Sequence, residues 1–125
     1  GSSEALLDDD LLEAKGWLLI GMTKQASQKI GGRVDLGGQI VASQIDLEKD
    51  AYRAARSRLE DALDTASKVD PLYSEALWIL ALIYAKQERV RPALSILDDL
   101  DEMGHSWRML ERKALRAGLN ALKKI

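Results

Sequence analysis

Cysteine is absent from the 125 residues, and His105 is the single histidine. No disulfide or thiolate metal site can therefore form, and one imidazole cannot hold zinc without unusual help from carboxylates. Without cysteine the redox compartment stays open, and a cytoplasmic location is the expectation. A large net charge is also missing: charged residues make up 30% of the chain but nearly cancel, to −2. Such a chain lacks the basic field that draws phosphate backbones or anionic lipid, so nucleic acid is not an expected partner. Long apolar runs are missing too. The longest, 16–22 and 76–85, fall short of the roughly 18–20 residues that cross a bilayer, and no membrane insertion is expected. Gly1-Ser2-Ser3 reads as the scar of a removed tag, which leaves a longer or membrane-anchored parent open and makes the lack of a targeting signal uninformative.

The 46% of apolar residues can fill one core, so a single domain over 4–125 is expected. With two prolines and abundant Leu, Ala, Glu, Lys and Arg, the composition predicts an all-α fold. The first helix is expected from about Glu4 into 24–29, with Leu7, Leu11, Ala14, Trp17 or Leu18, and Gly21 or Met22 on its apolar face. Residues 31–38 hold four glycines in eight positions, a density that predicts a loop at roughly 1 kcal/mol per glycine in a helix. Leu47, Ala51, Ala55, Leu59, Ala62, Ala66 and Val69 recur at threes and fours and predict a helix from Asp46 to Val69, with an earlier start near Gln39 left open. Asp70-Pro71 is a cap followed by a first-turn proline and predicts a third helix over 71–86. A fourth is expected from about 91 to before Gly104, and Ser106 is the expected cap of a terminal helix over 106–125. The expected total is five helices.

A helix-pair repeat would show as self-similarity at a fixed period. In a 34-residue frame, Leu77, Leu80, Ala81 and Tyr84, then Ala93 and Leu97, supply large, large, small, aromatic, small and large residues, with Pro71 closing the unit before. Trp17-Leu18-Leu19-Ile20-Gly21 gives a second, poorer match upstream. Its second-helix partners Leu59, Leu63 and Ala66 come about 26 residues late. Over about residues 14–104 the chain resembles a tetratricopeptide-repeat protein. The resemblance implies antiparallel helix pairs in a right-handed superhelix, with the first repeat expanded by a glycine-rich insertion. It also implies protein or peptide binding; because the sequence offers no convergent set of nucleophile, base and ligand residues, neither a cofactor nor enzymatic activity is expected.

Carried over from the resemblance, a groove formed by the first helix of each repeat would be lined by Lys15, Leu18, Met22 and Gln25, and by Glu75, Trp78, Leu82 and Lys86. Its apolar lining suits an amphipathic helix or apolar peptide. It does not suit the terminal carboxylate that some family members hold with lysine, asparagine and arginine. The alternative for the same residues is burial, against the terminal helix through Trp107, Leu110, Ala114 and Ala117. A homodimer through this face, or a small chaperone of the type III secretion class, are the competing readings of function.

Other features carry less chemistry. The glycine-rich segment has no Lys-Ser/Thr after it and no strand before it, as a phosphate-binding loop requires; its Arg33, Val34 and Leu36 could instead order against a partner. Asp8, Asp9 and Asp10 lack calcium-loop spacing and suit a helix N-terminus. Asp98, Asp99, Asp101 and Glu102 read as a solvated face open to a basic partner. His105 has no nucleophile or second base nearby in sequence.

Overall fold

The computed structural model describes residues 8–104 and 107–125. Seven helices, and no strand, occur among them: α1 Asp9–Leu19, α2 Thr23–Ile30, α3 Leu36–Glu48, α4 Tyr52–Thr65, α5 Tyr73–Lys86, α6 Val90–Glu102 and α7 Met109–Lys123. No helix among the described residues is long and apolar enough to cross a membrane. The backbone groups into two compact units, one closing at Ala76 and one spanning Leu77–Ile125, so α5 begins in the first and continues in the second. The expected helix start at Glu4, Leu7, the tag scar, His105 and the expected cap Ser106 lie outside the described residues.

Two expected long helices are each divided, and the same device divides both. At Gly21 the backbone turns left-handed (φ 80°), and at Asp50 it does so again (φ 56°). In each turn the amide of this residue donates to the carbonyl three back, Leu18 or Leu47. The next amide, of Met22 or Ala51, donates five back, to Trp17 or Asp46. This pairing satisfies carbonyls that a helix end leaves unbonded. The apolar periodicity runs straight through both turns, which is why spacing alone joined the helices. A third copy follows α5: Glu88 has φ 59°, its amide donates to Ala85, and the Arg89 amide donates to Tyr84.

Around each turn the side chains follow one plan. Seven residues before the left-handed residue stand Ala14, Ser43 and Ala81; five residues after it stand Ala26, Ala55 and Ala93. All six have no exposed surface. A large buried aliphatic, Ile30, Leu59 or Leu97, comes four residues later. Where α1 packs on α2 and α3 on α4, small residues at both positions let the helix axes approach closely, and the aliphatic fills the space beside them; Ala81, Ala93 and Leu97 are buried at the equivalent places. Ser43 is the one polar member, and its hydroxyl donates to the Ile40 carbonyl at 2.7 Å. The pairing corrects the expected expanded repeat. The partner of α1 is α2, while Leu59 and Leu63 belong to α4, which packs on α3. Gly21 is a turn residue, and the close-approach residue of α1 is Ala14.

In the first unit Leu11, Ala14, Ala26, Ile30, Val41 and Ile45 form one core cluster, with Trp17, Leu18 and Ala42 against it. The expected loop over 31–38 is shorter than its glycines suggest, because Gly37 and Gly38 lie in the first turn of α3 and are buried. Local propensity is overridden by close approach. A Cβ on Gly37 would come within 2.6 Å of a Leu11 methyl, and one on Gly38 within 2.7 Å of the Arg33 Cβ and 2.9 Å of the Asp35 carboxylate. In the second unit α7 packs on α6. Arg112, nearly fully buried, donates to Asp101 at 2.9 Å and to the Trp107 carbonyl at 3.0 Å. Arg116 reaches both Asp98 (3.0 Å) and Asp101 (2.9 Å). The acidic end of α6, expected as a solvated face, is thus partly tied to α7.

Two substitutions test this packing. Ala81→Leu should lower stability by about 1–3 kcal/mol through overpacking, whereas Ser43→Ala, which keeps the space, should change it by less than about 1 kcal/mol; urea unfolding followed by circular dichroism measures both. Gly38→Ala should also destabilise, by about 1–3 kcal/mol, although on helix propensity alone alanine would stabilise by about 1 kcal/mol. A rise in the urea midpoint would refute the close approach at Gly38.

Candidate partner-binding site

Of the eight groove residues the resemblance implies, the structure places four on α5 and divides the other four among α1, the turn after it and α2. Lys15 and Leu18 lie on α1, Met22 is the last turn residue, and Gln25 is on α2. The left-handed Gly21 is the reason, since it reverses the chain between Leu18 and Met22. Leu18 is half-buried against the first core cluster. Lys15 and Gln25 are half-buried, and Met22 is 39% exposed.

Sequence spacing did not single out Leu19 and Ile20 as exposed. Yet they are 87% and 66% exposed, because α1 stops at Leu19 and the turn carries both residues clear of the core. Together with Met22 they form a run of aliphatic surface at the α1–α2 turn. Gly21 was the available signal, as a glycine following an apolar helical run marks a helix end as readily as a helix contact.

On α5, Glu75, Trp78, Leu82 and Lys86 follow one another at spacings of three and four. Glu75 and Leu82 are half-buried and Lys86 is exposed, but Trp78 is only 5% exposed. The Arg108 guanidinium lies 5.8 Å from the centre of the Trp78 ring and 5.0 Å from that of Trp107. Arg108 is the left-handed residue (φ 51°) that precedes α7, and its side chain also bonds Glu111 at 2.9 Å. The expected burial against the terminal helix takes a different form from the one the spacing suggests. Leu110 is 81% exposed, and Ala114 and Ala117 are exposed as well. The inward residues of α7 are Arg112 and Leu119.

The remaining polar chemistry is structural. Asp8 caps α1 by accepting from the Leu11 amide at 2.9 Å. Arg33 reaches Asp8 at 2.7 Å and Asp35 at 2.6 Å, so the loop residue expected to await a partner instead ties the α2–α3 loop to the start of α1. Val34 beside it is exposed and Leu36 half-buried. Lys29 bridges Asp10 and Glu13, each at 3.4 Å. An open cleft of about 450 Å³ lies between the start of α3 and the α4–α5 connection, lined by Asp35, Leu36, Val69 and Asp70 among others. Its carboxylates are already engaged: that of Asp35 by Arg33, and that of Asp70 by the Leu72 amide at 2.9 Å. No group of three or more metal-ligating side chains is present among the described residues.

The Arg33 cluster generates a pH prediction. The Leu11 amide, then Arg33, holds the Asp8 carboxyl below its ordinary value of 3.8, and Arg33 does the same for Asp35. A lowered carboxyl contributes stability that is present above 3.8 and lost as pH falls through the folded value. Arg33→Gln should therefore lower the urea midpoint at pH 7, and the gap to the native protein should close as pH falls below 3.8. A gap unchanged between pH 7 and pH 2.5 would refute the assignment.

No protein-family description, characterised protein or solved structure matches this chain.

Proposed function

We propose that this chain is a protein-interaction module of tetratricopeptide-like helical hairpins, which binds an apolar peptide or amphipathic helix of another protein without a cofactor. Support for the repeat reading comes from the three equivalent turns and the small-residue pairs around them. The small positions assigned from the resemblance at Ala81 and Ala93 recur at Ser43 and Ala55 and again at Ala14 and Ala26. The turns at Gly21, Asp50 and Glu88 fall 29 and 38 residues apart, so the repeats depart from the 34-residue period on both sides.

Binding is carried by one observation, the exposed aliphatic run Leu19, Ile20 and Met22. Burying one Leu or Ile side chain is worth about 1.5–3 kcal/mol, so an exposed run of three is a strong anchor for a partner's apolar side chains. Lys15, Leu18 and Gln25 border it. Trp78, assigned to the groove by the resemblance, is buried, with the Arg108 guanidinium 5.8 Å from the centre of its ring.

The test is capture of a partner by the immobilised protein, repeated with the Leu19→Ser, Ile20→Ser double variant. Both positions are exposed, so circular dichroism should show unchanged helicity, while partner affinity should fall at least tenfold, about 1.4 kcal/mol. Equal capture by both proteins would contradict the reading. A mass that doubles with concentration and is halved in the variant would point instead to self-association through the same residues.

A further inference from the structure

The turn that carries Leu19, Ile20 and Met22 does not need aliphatic residues. The same turn is built twice more, with Glu48, Lys49 and Ala51 at the equivalent places around Asp50, and with Lys86, Gln87 and Arg89 around Glu88. The run is therefore a feature of this hairpin's surface, and the surface has a charge of its own. Glu13 is the last acidic residue before Asp35, while the stretch between them holds Lys15, Lys24, Lys29 and Arg33. Lys29 is bound to Asp10 and Glu13, and Arg33 to Asp8 and Asp35. Among the described residues neither Lys15 nor Lys24 has an ion-pair partner. These two lysines flank the run, Lys15 one helical turn before Leu19 on α1 and Lys24 in the first turn of α2. That first turn holds no acidic residue, and Met22 makes no side-chain cap before it, so the positive end of the α2 dipole adds to the same field.

We propose that this surface selects an acidic amphipathic helix: a partner segment whose apolar stripe covers Leu19, Ile20 and Met22 and whose flanking aspartates or glutamates pair with Lys15 and Lys24. The proposal rests on the reading of the aliphatic run as a docking surface and adds the partner's charge. An occupant that buries the run also displaces water from the lysines beside it. A carboxylate flank replaces that water with charge-assisted hydrogen bonds, a neutral flank leaves the lysines poorly solvated, and a basic flank repels them. A second copy of this chain meets the requirement poorly, because two-fold pairing of the run with itself brings the lysines of both copies together.

A pair of synthetic helical peptides tests the charge. Both carry leucine at helical spacings of three and four, one with glutamate on its flanks and the other with lysine. Titrated into the isotope-labelled full chain at low salt, the glutamate peptide should shift the amide resonances of Leu19, Ile20, Met22 and Lys24 saturably. It should bind about tenfold more tightly than the lysine peptide, an advantage that shrinks at about 1 M salt, where charges are screened within about 3 Å. The Lys15→Gln, Lys24→Gln double variant should keep its helicity by circular dichroism and lose most of this preference, and Lys24→Gln alone, at an exposed site, should lose part of it. Equal binding of the two peptides, with both lost in the Leu19→Ser, Ile20→Ser variant, would overturn the acidic partner and leave the docking surface standing. Binding that this aliphatic variant does not weaken would overturn both readings. No shift at millimolar peptide would also overturn the acidic partner, and sedimentation of the chain with vesicles of phosphatidylcholine and phosphatidylserine would then assign the run to an anionic membrane surface.

Discussion

Close approach between helices at residues no larger than serine is the constraint on which the rest of this structure depends. A left-handed residue ends one helix, two backbone hydrogen bonds satisfy carbonyls at its end, and the chain returns with a small side chain five residues on. Because the first helix also carries a small residue at the matching height, the two axes can approach, and one large aliphatic then seals the gap. The same constraint sorts surface from core. Around the first turn it buries Ala14, Ala26 and Ile30 and leaves Leu19 and Ile20 outside.

Polar groups fix the register that this packing permits. Arg33 ties the α2–α3 loop to the cap of α1, and it lies so close to Gly38 that a side chain there would collide with it. Arg112 and Arg116 hold α7 to the acidic end of α6. Exposed ion pairs of this kind contribute little energy singly. Arg112 differs: it is buried, and removing its carboxylate would leave a charge without solvent.

Helical composition and the hairpin around Glu88 could be read from the sequence because each rests on local chemistry, whereas α5 begins at Tyr73, two residues later than Asp70-Pro71 suggested, with the Asp70 carboxylate holding the Leu72 amide in the turn before it. The α1–α2 and α3–α4 hairpins could not be read. Apolar residues keep a helical period across both turns, and Asp50 gives no warning, since a left-handed turn residue is expected to be glycine or asparagine. Gly37 and Gly38 misled in the opposite direction. They read as a loop by propensity and are helical because α1 and the loop leave no room for a side chain. At the candidate site, the resemblance pointed to Leu18 and Met22 but not to the exposure of Leu19 and Ile20, which depends on where α1 stops.

Around the first turn this packing leaves an aliphatic run, Leu19, Ile20 and Met22, outside the core. The proposed function rests on the pairing of helices in three like hairpins, which proton–proton nuclear Overhauser measurements test directly. The account predicts close contacts from Ala14 to Ala26, from Ser43 to Ala55 and from Ala81 to Ala93. A contact from Ala14 to Ala55 or Leu59 in place of the first would mean that α1 pairs with α4 in one expanded repeat, and would contradict it.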